Sequence, residues 1–126
     1  MDDRHHPRVS VESQCKARFR LGGLSYSDIT VANLSQDGCC IRVPGTANAA
    51  LGVKPLLEGL ELVHPALPRG PVKGRVVWTR PHPRDRAGAI ESGVTFLDPP
   101  AGYVAALGKY VTVMTIDQPQ GADRST

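Results

Sequence analysis

The sequence predicts an all-β domain: a six-stranded antiparallel β-barrel, closed or nearly so, with a C-terminal α-helix packed on it. Three observations lead there. A chain of 126 residues is long enough to bury one core and make one domain. Six short segments alternate apolar and polar residues and are separated by turn-forming residues. After Pro99-Pro100 the apolar spacing changes from two residues to the three and four of a helix.

The elements follow in order. Residues 1–14 are polar and carry Pro7, which discourages a continuous helix, so they read as a flexible arm. The first strand, 15–21, places Cys15, Ala17, Phe19 and Leu21 on one face and Lys16, Arg18 and Arg20 on the other. Gly22-Gly23 supplies a hairpin turn. A second strand, 24–33, groups Ile29, Val31 and Asn33 on one face. The third, 38–43, sets Cys39, Ile41 and Val43 against Cys40 and Arg42, and Pro44-Gly45 ends it. After a loop of small residues come a leucine-rich strand at 56–64 and, beyond a proline-rich loop, a fifth at 72–80. Val72, Val76 and Trp78 are expected on one side of the latter. A turn with Pro81 and Pro83 leads to the last strand, 88–97, with Ile90, Val94 and Phe96 inward. A helix over 101–114 lays Val104, Leu107, Val111 and Met114 on the barrel, its end weakened by β-branched residues. The polar tail, 115–126, is expected to be disordered.

Composition narrows the function. Lys and Arg exceed Asp and Glu by 15 to 12, a formal +3, which suits a small anionic ligand better than a nucleic-acid coat. Aromatics at 5% offer no platform for single-stranded nucleic acid. Three cysteines, two of them adjacent, make a poor disulfide framework and read as buried thiols in a reducing compartment. The first residues have no apolar leader region, and no apolar run reaches the ~20 residues of a membrane span, so a cytoplasmic protein is expected. Cys39, Cys40, His64 and the adjacent His5-His6 match no metal-ligand spacing, and no nucleophile and base can be paired, so neither metal, cofactor nor enzymatic activity is expected.

Two polar features stand out from the barrel pattern. Arg4 and Arg8 are separated by three residues in a segment too polar for a core. Asn33-Leu-Ser35-Gln-Asp-Gly38 interrupts two alternating strands. Taken singly, terminal arginines are ordinary solvated residues. An Asn-x-Ser-x-x-Gly turn can likewise be only a turn, with side chains bonding nearby backbone and Gly38 supplying a positive φ.

Together, in this order, the two features resemble the PilZ domain family, whose signature is Arg-x-x-x-Arg followed by Asp/Asn-x-Ser-x-x-Gly. Pro7-Arg8-Val9, Val76-Val77-Trp78 and Gly93-Val94-Thr95-Phe96 add to the likeness, which covers roughly 3–114. The resemblance implies a non-enzymatic receptor for cyclic di-GMP, with Arg4, Arg8, Asn33, Ser35 and Gly38 as ligand-binding residues. The residue chemistry agrees. A guanidinium fork pairs bidentately with phosphate oxygens or with guanine O6 and N7. A step of four residues spans at most ~14 Å, so both arginines can reach one compact ligand. Asn33 and Ser35 would read a guanine edge and hold the turn, and Gly38 would allow a tight turn or close approach. Asp3 stands where some members carry a further arginine, which favours one dinucleotide per site over a stacked pair. Closure of the arm over the ligand would change the surface shown to an unidentified protein partner. The competing reading from another class is a protein–protein adaptor of the same fold that binds no nucleotide. A small barrel binding RNA or DNA without sequence preference comes third.

Overall fold

The structure, a computed structural model, describes residues 8–47, 51, 55–81 and 88–117, with side chains to residue 115. Its strands are β1 (Val9–Ser10), β2 (Lys16–Leu21), β3 (Leu24–Ser35), β4 (Gly38–Val43), β5 (Leu56–Val63), β6 (Val72–Pro81) and β7 (Ile90–Leu97), followed by helix α1 (Ala101–Asp117). All pairings are antiparallel. The sheet order β1-β3-β2-β5-β6-β7-β4, with β4 returning to β3, closes β2–β7 into the six-stranded barrel that the alternation predicts. Arg4 and the tail residues 118–126 lie outside the described residues.

The chain enters the barrel earlier than 15. Val9 faces Leu34 and Ser10 faces Asn33 across β1 and β3. Val11 N donates to Ala32 O at 3.1 Å, and Val31 N to Cys15 O at 3.1 Å. Residues 9–21 therefore run along β3 as one interrupted strand, with a turn pinched out at 12–14. Val9 and Val11, expected on the arm, belong to the core with Cys15, Ala17, Phe19 and Leu21. Their apolar side chains bury on the strand because closing the barrel removes them from water.

Two β-bulges revise the expected faces. Register slips between Val31 and Asn33, where Val31 faces Ile41 but Asn33 faces Cys40. The extra residue, Ala32, reverses the alternation, so Leu34 enters the core and Asn33 turns outward rather than joining Ile29 and Val31. A second slip lies between Val76 and Trp78, with Val77 the extra residue. Trp78 is consequently 41% exposed and not on the face of Val72 and Val76. Both bulges move a polar or aromatic side chain onto the same outer wall.

Helix α1 covers the barrel through Tyr103, Leu107 and Val111, with Tyr110 and Met114 partly buried against it. Its main contacts fall on β1 and β3, and Tyr103 also meets Phe96 of β7 edge-on. It runs three residues past 114, its β-branched end held by the packing of Val111 rather than by intrinsic propensity. No helix among the described residues is long and apolar enough to cross a membrane.

Candidate functional site

The barrel register sets one outward row across five strands. Ser10 faces Asn33, Asn33 faces Cys40, Cys40 faces Gly93, and Gly93 faces Trp78. At an interstrand spacing of about 4.8 Å, Asn33 and Trp78 stand roughly 14 Å apart along the sheet. The indole closes part of that distance by lying against Gly93, where a Cβ would collide with its Nε1 and Cε2. The result is a shelf floored by Cys40 and Gly93, with Asn33 on one side and Trp78 on the other.

Arg8 bounds the shelf on the Asn33 side, its Nη1 donating to Asn33 Oδ1 at 3.0 Å. Thus one residue from each half of the sequence signature meets the other, 25 positions apart. The neutral amide holds the guanidinium by a single exposed hydrogen bond, which leaves its remaining donors for another acceptor.

Ser35 and Gly38 have a different role. Ser35 is 1% exposed. Its hydroxyl donates to Asp37 Oδ1 at 2.5 Å, with Gly38 O at 3.3 Å. Gly38 faces Thr95 of β7, and a Cβ there would run into the Val94 carbonyl oxygen. The turn is further tied to β7 by Phe96 N donating to Asp37 O at 3.0 Å. Gly38 is therefore required for close backbone approach and has no positive φ. These two residues clamp the hairpin that presents Asn33.

A second outward row lies beside the first, with Arg42 facing Glu91 and Glu91 facing Arg80. Glu91 Oε1 accepts from Arg80 Nε at 3.0 Å, and Glu91 Oε2 lies 3.7 Å from Arg42 Nη2. Arg42 Nη1 also bonds Glu12 at 2.7 Å. Arg42 is thus committed to two carboxylates. Arg80 uses Nε for Glu91 and rests over the Trp78 ring, its Cζ 5.1 Å from the centroid. That stacking and the hydrogen bond hold the guanidinium in place on a side chain that is still 64% exposed. Cys40 marks the electrostatic centre. Burial raises its thiol pKa, Glu91 raises it further, and Arg80, Arg8 and Arg42 all oppose the shift.

The shelf joins two guanidinium forks, an amide and an aromatic wall, a donor set for a phosphorylated purine. Chemistry by a thiolate is disfavoured, because burial raises the pKa of Cys15, Cys39 and Cys40 alike. Among the described residues no group of three or more His, Cys, Asp or Glu side chains is placed to hold a metal.

Sequence reasoning missed Trp78, Arg80, Gly93 and Cys40 as wall and floor. A signal was present. Three apolar residues in a row at Val76-Val77-Trp78 break the alternation and force one outward, and Gly93 inside a strand marks a close approach.

A model of the PilZ domain family matches residues 2–112. The fold is similar to that of K. pneumonia MrkH in its complex with cyclic di-GMP, with TM-score 0.78 and 16% identity. That alignment covers 100% of this chain and 57% of MrkH, so the chain spans little more than half of that relative's length. It is similar also to the PilZ domain of Escherichia coli YcgR with cyclic di-GMP, with TM-score 0.70 and 12% identity, covering 98% of this chain and 99% of that one. Borreliella burgdorferi PlzA in complex with cyclic di-GMP gives TM-score 0.60 and 11% identity over 89% of this chain and 53% of that one. No curated protein matches the chain.

Proposed function

The chain belongs to the PilZ domain family, and on that premise we propose that it is a non-enzymatic cytoplasmic receptor for cyclic di-GMP. The observation that carries the proposal is the Arg8–Asn33 hydrogen bond at the edge of a shelf whose far wall is Trp78 and Arg80. Solved relatives in complex with the same dinucleotide support it. Arg8 exchanges the Asn33 amide for a phosphate or a guanine Hoogsteen edge, and Arg4 adds the second fork from the arm. Asn33, released, accepts from the guanine N2 amine. Trp78 and Arg80 pack against the base, and Ser35 and Gly38 keep the Asn33 hairpin in register. Closure of the arm alters the surface offered to a protein partner.

The chain has a single tryptophan, so its fluorescence reports on the shelf directly. Titration with cyclic di-GMP is expected to change Trp78 emission and release heat, with stoichiometry near one. Arg8→Ala is expected to abolish both signals. It should leave apo stability within about 0.5 kcal/mol, since an exposed polar contact contributes little. No heat and no fluorescence change at tens of micromolar ligand overturns the receptor reading and favours the adaptor. A large loss of apo stability in Arg8→Ala makes Arg8 structural.

A further inference from the structure

A second surface lies on the outer wall, on strands β5 and β6 beyond Trp78. Among the described residues six large apolar side chains are exposed, and two of them, Leu56 and Val77, line one cleft there. Leu56 faces Arg75 across the β5–β6 ladder. Val77, the bulge residue, stands 55% exposed two positions further along β6. Two clefts, of about 840 and 550 Å³, open on this wall and share Leu56 and Arg75 in their linings. The larger also reaches Lys73 and Leu97, which face each other across β6 and β7.

The charges there are unequal. Arg20 is engaged by Glu58 at 3.2 Å, and Arg18 by Glu61. Among the described residues neither Lys73 nor Arg75 has an acidic partner. With the Arg20–Glu58 pair neutral, two cations two residues apart on one strand thus outnumber the single unpaired carboxylate, Asp98, along a cleft whose lining is part apolar and part charged. Residues i and i+2 of a strand lie about 7 Å apart, which is also the repeat of alternate side chains in an extended peptide.

The geometry points to a docking strip for an acidic, extended segment of a partner protein. Its carboxylates lie on Arg75 and Lys73, and an apolar side chain enters between Leu56 and Val77. Nucleic acid fits less well. The β2 arginines beside the groove are already neutralised by glutamates, and the centre of the strip is aliphatic rather than aromatic. The strip stands whether or not the shelf takes a nucleotide. Because Val77 adjoins Trp78 in the chain, a ligand on the shelf would abut the docked segment. The reciprocal linkage that follows rests on the proposed receptor role.

The test uses the full chain and a short fluorescein-labelled peptide in which glutamates alternate with leucines and serines, read by anisotropy. Binding that weakens with salt supports the strip, as does a loss of about tenfold or more in Arg75→Glu and a clear loss in Leu56→Ser. Val63→Ser, at the far end of β5, is expected to bind as wild type. No binding overturns the proposal, as does binding unchanged in Arg75→Glu and Leu56→Ser when both retain the wild-type circular dichroism. An unlabelled single-stranded oligonucleotide that competes more tightly than the peptide, and is lost in Arg75→Glu, overturns it in favour of nucleic acid. Repeating the titration with saturating cyclic di-GMP separates the two readings. A shift in peptide affinity that Arg8→Ala removes supports the linkage. Peptide binding indifferent to a dinucleotide that itself binds overturns the linkage alone.

Discussion

Gly38 and Gly93 both stand where a Cβ would collide with a neighbour, but the neighbours differ in kind. At Gly38 the obstacle is the Val94 carbonyl oxygen, fixed in the β4–β7 ladder. At Gly93 it is the indole of Trp78, which is partly exposed and can swing into solvent. Gly38→Ala must therefore push two strands apart, with an expected loss of about 2–3 kcal/mol in urea denaturation. Gly93→Ala should cost under about 1 kcal/mol in the same assay, since only a surface side chain moves. It should nevertheless weaken cyclic di-GMP binding by about tenfold or more, because the aromatic wall is displaced from the shelf. Equal destabilisation by the two substitutions would make Trp78 a structural residue and remove it from the site. The same contrast separates Ser35, whose buried hydroxyl is spent on the turn, from Asn33, whose half-buried amide accepts from Arg8.

Helix α1 shows how an element can be held by its neighbours against its own composition. Its seventeen residues include Gly102, Gly108 and a β-branched C-terminal end, all poor for a helix. It packs on β1 and β3, the strands that carry Val9 and Asn33, and Gly108 meets the Gln36 side chain of the signature turn. A Cβ on Gly108 would lie 2.9 Å from Gln36 Oε1, the free end of a flexible side chain. Gly108→Ala is therefore expected to stabilise the protein by about 0.5–1 kcal/mol, the helix-propensity gain, and to raise the thermal midpoint by a few degrees. A lowered midpoint in a thermal melt would show that the Gln36 contact is rigid. Legibility in the sequence divides along the same lines. The strict alternation of β2 and β4 could be read directly, as could the change of period at Pro99-Pro100, because each reports one-sided burial. The bulge at Ala32 could not be located, since one inserted residue leaves composition intact and only shifts phase, whereas the one at Val77 left a trace in the apolar run Val76-Val77-Trp78. Half the shelf was legible, Arg8 and Asn33 being parts of one signature. Its other half depends on which strands become neighbours. Nothing local brings Gly93 and Trp78 beside Cys40.

At the scale of the whole molecule, closure of the barrel gathers the weak acids of the core into one low-dielectric interior. The consequence is a defined alkaline limit to stability. Burial pushes the Cys15 thiol up to about 11 from an ordinary value of 9.0. Cys39 and Tyr103 are raised further, chiefly by burial and then by the neighbouring thiols, and Cys40 is raised despite three nearby arginines. Each of these groups is neutral when protonated, so the folded state holds its protons more tightly than the unfolded chain. Well below pH 9 both states are protonated and no linkage arises. Above it the unfolded thiols ionise first and stability falls, until the folded groups ionise in turn. Urea midpoints are therefore expected to hold between pH 7 and 8.5 and to drop progressively toward pH 11. Cys15→Ala with Cys39→Ala should flatten that drop, whatever the double substitution costs at neutral pH. A midpoint unchanged to pH 10.5 in the wild type would show that the thiols are already solvated in the folded state. Cys39 faces the core and Cys40, its neighbour, the shelf. Reaction with a disulfide reagent at pH 8 should accordingly be slow at both, and on the proposed receptor reading cyclic di-GMP should slow it further at Cys40 alone, since a ligand on the shelf would cover only the outer wall.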